Sequence, residues 1–272
     1  MCVSPKVSAS NLLNSNVIRT FQVRSTEARS FQMRIDEVRA FQVRIDEMRS
    51  FEVRAEETRS FQVRSSEVRA FQVRFPELRS FQVRFPQLRS FQACSQEVRA
   101  FQVRFHKACA VQLRPQEVRA FEVRSRKVHG FQVCFHEVRA FQVRCTKVRA
   151  FQVRSPELRS FQVHSQEVRA FQMCFRELRP LQVRSQEVRA FQLRFHEVRV
   201  FQLCFPELRS PQVRPPEMRS FQVRSLEVRS FQPRFREVHA FQMRFREIRA
   251  SQVALRQIKW SLFHLCYTAT AA

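Results

Sequence analysis

The amino-acid sequence predicts a repeat protein, mainly β, with short strands stacked in a solenoid-like array. Three observations carry this: an uninterrupted ten-residue period, strand-like alternation within each unit, and a near absence of glycine. A single Gly stands among 272 residues, where ordinary usage would give about 19, so turns that need a positive φ cannot be common. A largely disordered low-complexity array with short helices is the competing expectation, although 44% hydrophobic residues is high for disorder.

The chain divides into three parts: residues 1–20, an array over 21–250, and a tail over 251–272. The first part lacks a continuous apolar run, so no secretory signal is expected, and no stretch approaches the ~18 apolar residues of a membrane span. An intracellular location follows as an expectation if the chain is expressed; the Ser-rich start with Lys6 and Arg19 only faintly suits a mitochondrial presequence.

The array holds 23 copies of a unit close to F-Q-V-R-(S/F)-x-E-(V/L)-R-(A/S), without insertion or deletion. The first position is Phe except at Val111, Leu181 and Pro211, and the second is Gln except at Glu52 and Glu122. Within one copy, Phe71-Gln72-Val73-Arg74-Phe75 alternates apolar and polar with residue types that favour strands. Pro76-Glu77 then predicts a turn, after which Leu78-Arg79-Ser80 restarts with opposite parity. A helix fits poorly, because ten residues advance about 1000° and the apolar face drifts by roughly 80° per copy. One copy buries too little apolar surface to offset the entropy of ordering ten residues, so stacking on neighbours is required.

The tail ends in an apolar stretch, Trp260 to Tyr267, for which a helical turn or two is one expectation. The unit also resembles the pentapeptide-repeat proteins in its five-residue echo and in an apolar centre of each half, Val73 and Leu78, preceded by Gln72 or Glu77. The resemblance covers the period of the array. The right-handed β-helix of that family takes a small inward residue two places before each centre. Here those places hold Phe71 and Pro76, and elsewhere His136 or Arg176, which by that pattern are too large or too polar for an interior.

The net charge is +25, from 49 Lys and Arg against 24 Asp and Glu, with arginine supplying 44 of the cations. Arg interleaved with Phe suggests phosphate contacts and stacking surfaces, so non-specific binding of polyanions such as RNA or DNA is expected at low salt. Glu in most copies reduces the average to about +1 per ten residues. A self-associating repeat scaffold for protein partners is a further expectation.

No catalytic, cofactor-binding or metal residues are expected. There is no C-x-x-C, and Cys94, Cys134, Cys174 and Cys204 share one repeat phase three or four copies apart. With one copy per layer of about 5 Å, they would stand some 15 Å or more apart, far beyond metal–thiolate reach. Cys134 with His136, and His106 with Cys109, bring thiol and imidazole close in sequence, but a repeat without unique loops offers no shaped pocket for a general base.

Differences among copies point to drift. Of 46 arginine slots, 38 hold Arg and the others hold Cys or His, never Lys or Gln. Retention of a cation would favour Lys, whereas Cys and His are each one transition from an Arg codon. The sixth position accepts Pro, His, Gln, Arg and Leu, and the seventh changes from Glu to Lys at Lys107, Lys127 and Lys147. The expectation is a translated minisatellite-like repeat with no dedicated biochemical activity, and not an enzyme.

Overall fold

In a computed structural model, the chain is a parallel β-solenoid, and among the described residues there is no helix. The structure describes residues 2–3, 12–214, 217–251, 254–258 and 263–267. Two compact units follow one another, Met1–His136 and Glu137–Ala272. The first contains β1 (Cys2–Val3) and β2 (Leu12–Cys134). The second contains β3 (Glu137–Arg214), β4 (Glu217–Ser251), β5 (Ala254–Ile258) and β6 (Phe263–Tyr267).

Strands of such length are coils that stay extended around their corners. Pairing shows the coil to be twenty residues, two copies of the sequence unit. In the second unit β3 pairs in parallel with β4 at Glu197↔Glu217, Phe201↔Phe221 and Leu208↔Val228. In the first, Cys2↔Gln22 and Val3↔Val23 have the same offset, so β1 stacks on the repeat although its sequence lies outside it.

The side-chain pattern explains the shape of one coil. In the copy Phe81–Ser90, the side chains of Phe81, Val83, Phe85 and Leu88 are buried, whereas Gln82, Arg84, Pro86, Gln87 and Arg89 are exposed. Alternation over the first five positions is that of a strand with one face inward. Two successive outward residues at positions six and seven, and again at nine and ten, mark bends on either side of the inward Leu88. Each copy thus supplies one long side and one short side, and two copies close a coil. The parity break predicted at Pro76-Glu77 is one of these bends, and its prolines face solvent.

Phenylalanine fills the interior in two ways. Along the stack, rings at position one lie on rings twenty residues away: Phe41 on Phe61 at 4.7 Å and 2°, Phe51 on Phe71 at 4.8 Å and 2°. These centroid spacings match the ~4.8 Å between neighbouring strands. Across the interior, position one of a copy meets position five of the next edge to face, as in Phe61–Phe75 at 5.0 Å and Phe71–Phe85 at 5.0 Å. Phe121–Phe135 and Phe191–Phe205 repeat the arrangement at 5.4 and 5.3 Å, within the range favoured by the ring quadrupoles.

Position five is Phe or Ser in most copies, and Ser is accommodated there locally. Where it is Ser, the hydroxyl turns to the corner backbone: Ser65 Oγ donates to the carbonyls of Asp46 and Glu67, both at 3.2 Å. Ser185 does the same toward Gln166 and Glu187. In these copies the buried polar atom is thereby satisfied, whereas Ser125 Oγ and Ser165 Oγ have no hydrogen-bond partner among the described residues.

Two expectations change. Phe71, expected to be too large for an interior, is wholly buried there, because the inward triplet Phe71, Val73 and Phe75 lies on one long side wide enough for rings. Pro76, His136 and Arg176 cause no conflict, since position six points outward. The apolar tail is not helical where it is described: β6 pairs in parallel with β4 at Phe241↔Phe263 and Phe245↔Tyr267. That offset of 22, against 20 for Arg234↔Ala254 in β5, places two extra residues between the last two strands. Trp260 to Leu262 lie outside the described residues.

Candidate polyanion-binding surface

Because the coil has twenty residues, every outward position forms a row along the stack, each member about 4.8 Å from the next. Position two forms rows of amides. In the first unit Gln22, Gln42, Gln62, Gln82 and Gln102 each donate from Nε2 to the Oε1 of the next amide, at 3.3 to 3.5 Å, the last donating to Glu122. On the opposite long side Gln72, Gln92, Gln112 and Gln132 form a second ladder. The second unit has matching ladders, Gln142 to Gln242 and Gln152 to Gln212. A primary amide donates and accepts at once, which a carboxylate cannot. The two Glu substitutions accordingly turn aside to arginine, Glu52 to Arg54 at 2.9 Å and Glu122 to Arg124 at 2.6 Å.

Positions four and nine form rows of guanidinium groups. Arg24, Arg44, Arg64, Arg84, Arg104 and Arg124 occupy one such row without interruption, all exposed. Stacking like charges at this spacing is unfavourable, more so at low salt. His164 stands in an arginine row, and its pKa is lowered from 6.5, first by partial burial and then by Arg184 and Arg144, its neighbours one coil to either side.

The acidic seventh position lies beside the ninth-position row. Glu187 approaches Arg189 at 3.6 Å and Arg209, on the next coil, at 3.9 Å, while Lys147 pairs with Glu167 twenty residues on at 2.8 Å. These are exposed pairs, each contributing about 1 kcal/mol or less. The ninth-position Arg189 and Arg209 are partly neutralised in this way. Fourth-position arginines have the amide row beside them, uncharged except at Glu52 and Glu122.

The expected partnership of arginine with phenylalanine toward nucleic acid is corrected. Among the described side chains every Phe is buried, the most exposed being Phe21 at 8%. No described ring is presented for a base to stack on, and the exposed cations remain.

Cysteine and histidine residues lie where the repeat phase puts them. Cys94, Cys134 and Cys174 are exposed and Cys204 is half-buried, all in the fourth position, and Cys109 occupies a ninth position. Two copies per coil shortens the expected separation of Cys94 and Cys134 to two coils, about 10 Å. That is still far beyond a shared metal ion, and among the described residues no group of three or more metal-ligating side chains converges. His106 and Cys109 both face outward, flanking the inward Ala108. No described helix is long and apolar enough to cross a membrane. Compared with known proteins, the chain matches no family model, no curated protein and no solved structure.

Proposed function

We propose that the chain is a structural tandem-repeat product, a β-solenoid without dedicated biochemical activity, whose copies drift within the limits that folding sets. The observation that carries this reading is where variation falls. Pro86, His106, Arg126, Gln166 and Leu226 all occupy the exposed sixth position. At the inward positions one and three the replacements stay apolar: Val111 and Leu181 at position one, Met173 and Leu203 at position three. Outward drift costs little, whereas a polar side chain inside would cost its desolvation.

The codons of the copies test this. Nonsynonymous differences should reach the synonymous level at outward positions and fall below it at inward ones. Equal, strong depletion at outward positions would mean that the surface is under selection for a dedicated role, against the proposal.

A second reading is favoured by the arginine rows. Fourth-position guanidinium groups repeat at coil spacing beside uncharged amides, and such an array binds polyanions through phosphate contacts and counterion release. Titration with salt distinguishes it: charge-driven binding weakens linearly in a double-logarithmic plot, whereas salt-independent affinity would contradict it.

A further inference from the structure

We infer that the C-terminal half of the first unit carries a localised site for the phosphodiester backbone of nucleic acid, centred on Arg104, Lys107, Arg126 and Lys127. The inference rests on the charge-driven reading of the arginine rows and goes beyond it by giving the binding a location. Residues 21–70 contain ten arginines and nine carboxylates, a balance of +1. Residues 78–136, in the same unit, contain eleven cations and three carboxylates, a balance of +8.

The twenty-residue coil turns this difference into a surface. Two of the three carboxylates, Glu97 and Glu117, are twenty residues apart and share one row on a short side. The third, Glu122, is held by Arg124 at 2.6 Å. On the opposite copies, position seven reads Gln87, Lys107 and Lys127 on successive coils where most copies have Glu, and all three are exposed. Beside them, position six holds His106 and Arg126, and position four holds Arg84, Arg104 and Arg124. From Val98 to Gln116, nearly one full coil, there is no acid at all.

Its chemistry favours phosphate. Guanidinium groups take phosphate oxygens in bidentate fashion, and ammonium groups supply point charges beside them. Buried phenylalanine removes the stacking that usually gives single strands an advantage. A lipid surface is disfavoured, because the exposed large hydrophobic residues among those described, Val200 and Leu226, are both in the other unit.

The test uses the full chain, a 20-base-pair DNA duplex and a single strand of equal length. In K107Q/R126Q/K127Q, affinity for duplex at moderate salt should fall about tenfold or more, with a salt slope smaller by about two to three. The control R39Q/R49Q/R59Q loses the same charge from ninth positions of the balanced region, outside the fourth-position rows, and should stay within about twofold; circular dichroism verifies that both variants keep the fold. The single strand should show no preference over duplex. On the unaltered chain, bound duplex should protect Lys107 and Lys127 from acetylation more than Lys147, which is paired with Glu167.

If both variants weaken binding equally, or the two lysines are not protected, the local site is overturned while the general charge reading stands. If the unaltered chain does not bind duplex even at low salt, both fail. Protection by anionic phospholipid vesicles but not by duplex would overturn the assignment to nucleic acid.

Discussion

Phe81 and Phe101 stack with ring centroids 4.4 Å apart and planes 12° from parallel, although twenty residues separate them in the chain. Phe81 also lies 5.2 Å from Phe61 and meets Phe75 at 6.2 Å across the interior. Phe81→Ala therefore removes stacking on both sides and leaves a cavity between coils. A loss of about 3–5 kcal/mol is expected, measured by urea denaturation, whereas Arg84→Ala on the exposed face of the same coil should cost well under 1 kcal/mol.

Thr58 takes the inward eighth position, where most copies have Val or Leu, and its buried hydroxyl has no hydrogen-bond partner among the described residues. Thr58→Val should stabilise the chain by about 1 kcal/mol, since it removes an unsatisfied polar atom at nearly constant volume. A decrease in thermal midpoint would contradict the placement of this side chain.

Gly130 does not adopt a positive φ, and a Cβ built on it would meet only the Cys109 carbonyl oxygen at an ordinary 3.5 Å. Most other copies carry Ala or Ser at this corner. Gly130→Ala should stabilise by about 0.4–1 kcal/mol through the unfolded chain. That result would show that the corners of the coil need no glycine, which accounts for the composition of the array.

His164 gives the fold a pH dependence with a definite sign. Its pKa is lowered in the folded state, so the unfolded chain binds the proton more readily. The contribution to stability is present above the ordinary value of 6.5 and is lost as pH falls below it. Comparing denaturation midpoints at pH 7.5 and 5.5 should show a smaller decrease for His164→Gln than for the unaltered chain.

Much of the fold is legible in the sequence. Alternation in Phe71–Phe75 gives a strand, Pro76-Glu77 gives a corner, and the weakness of a single copy requires stacking. The coil length is not legible from the unit alone, because adjacent copies are so alike that ten, twenty or thirty residues per turn satisfy the same pattern. A signal was nevertheless present in the deviations: Lys107, Lys127 and Lys147 recur at twenty, not ten. Reading the two five-residue halves as equivalent sides also obscured how Phe71 is accommodated, since positions one, three and five share one long side and position eight stands alone.

The surface was harder to read for the same reason. An average near +1 per copy conceals a balanced N-terminal region and a strongly cationic one after it, and only the twenty-residue register assembles Lys107 and Lys127 into one row. Phenylalanine illustrates the reverse error. Its spacing relative to arginine suggested stacking surfaces, but the alternation that exposes Arg84 is the one that buries Phe81 and Phe85.

The twenty-residue coil underlies every one of these relationships, and paired spin labels test it directly. Nitroxides would be placed at Gln62 and Gln82 in one chain and at Gln62 and Gln72 in another, with the native cysteines replaced by serine and the β-type circular dichroism spectrum verified. Strong dipolar broadening is predicted for the 62/82 pair, which stands on successive coils of one long side, and none for the 62/72 pair, which stands on opposite sides. Broadening in the 62/72 pair, or in neither, would contradict the account.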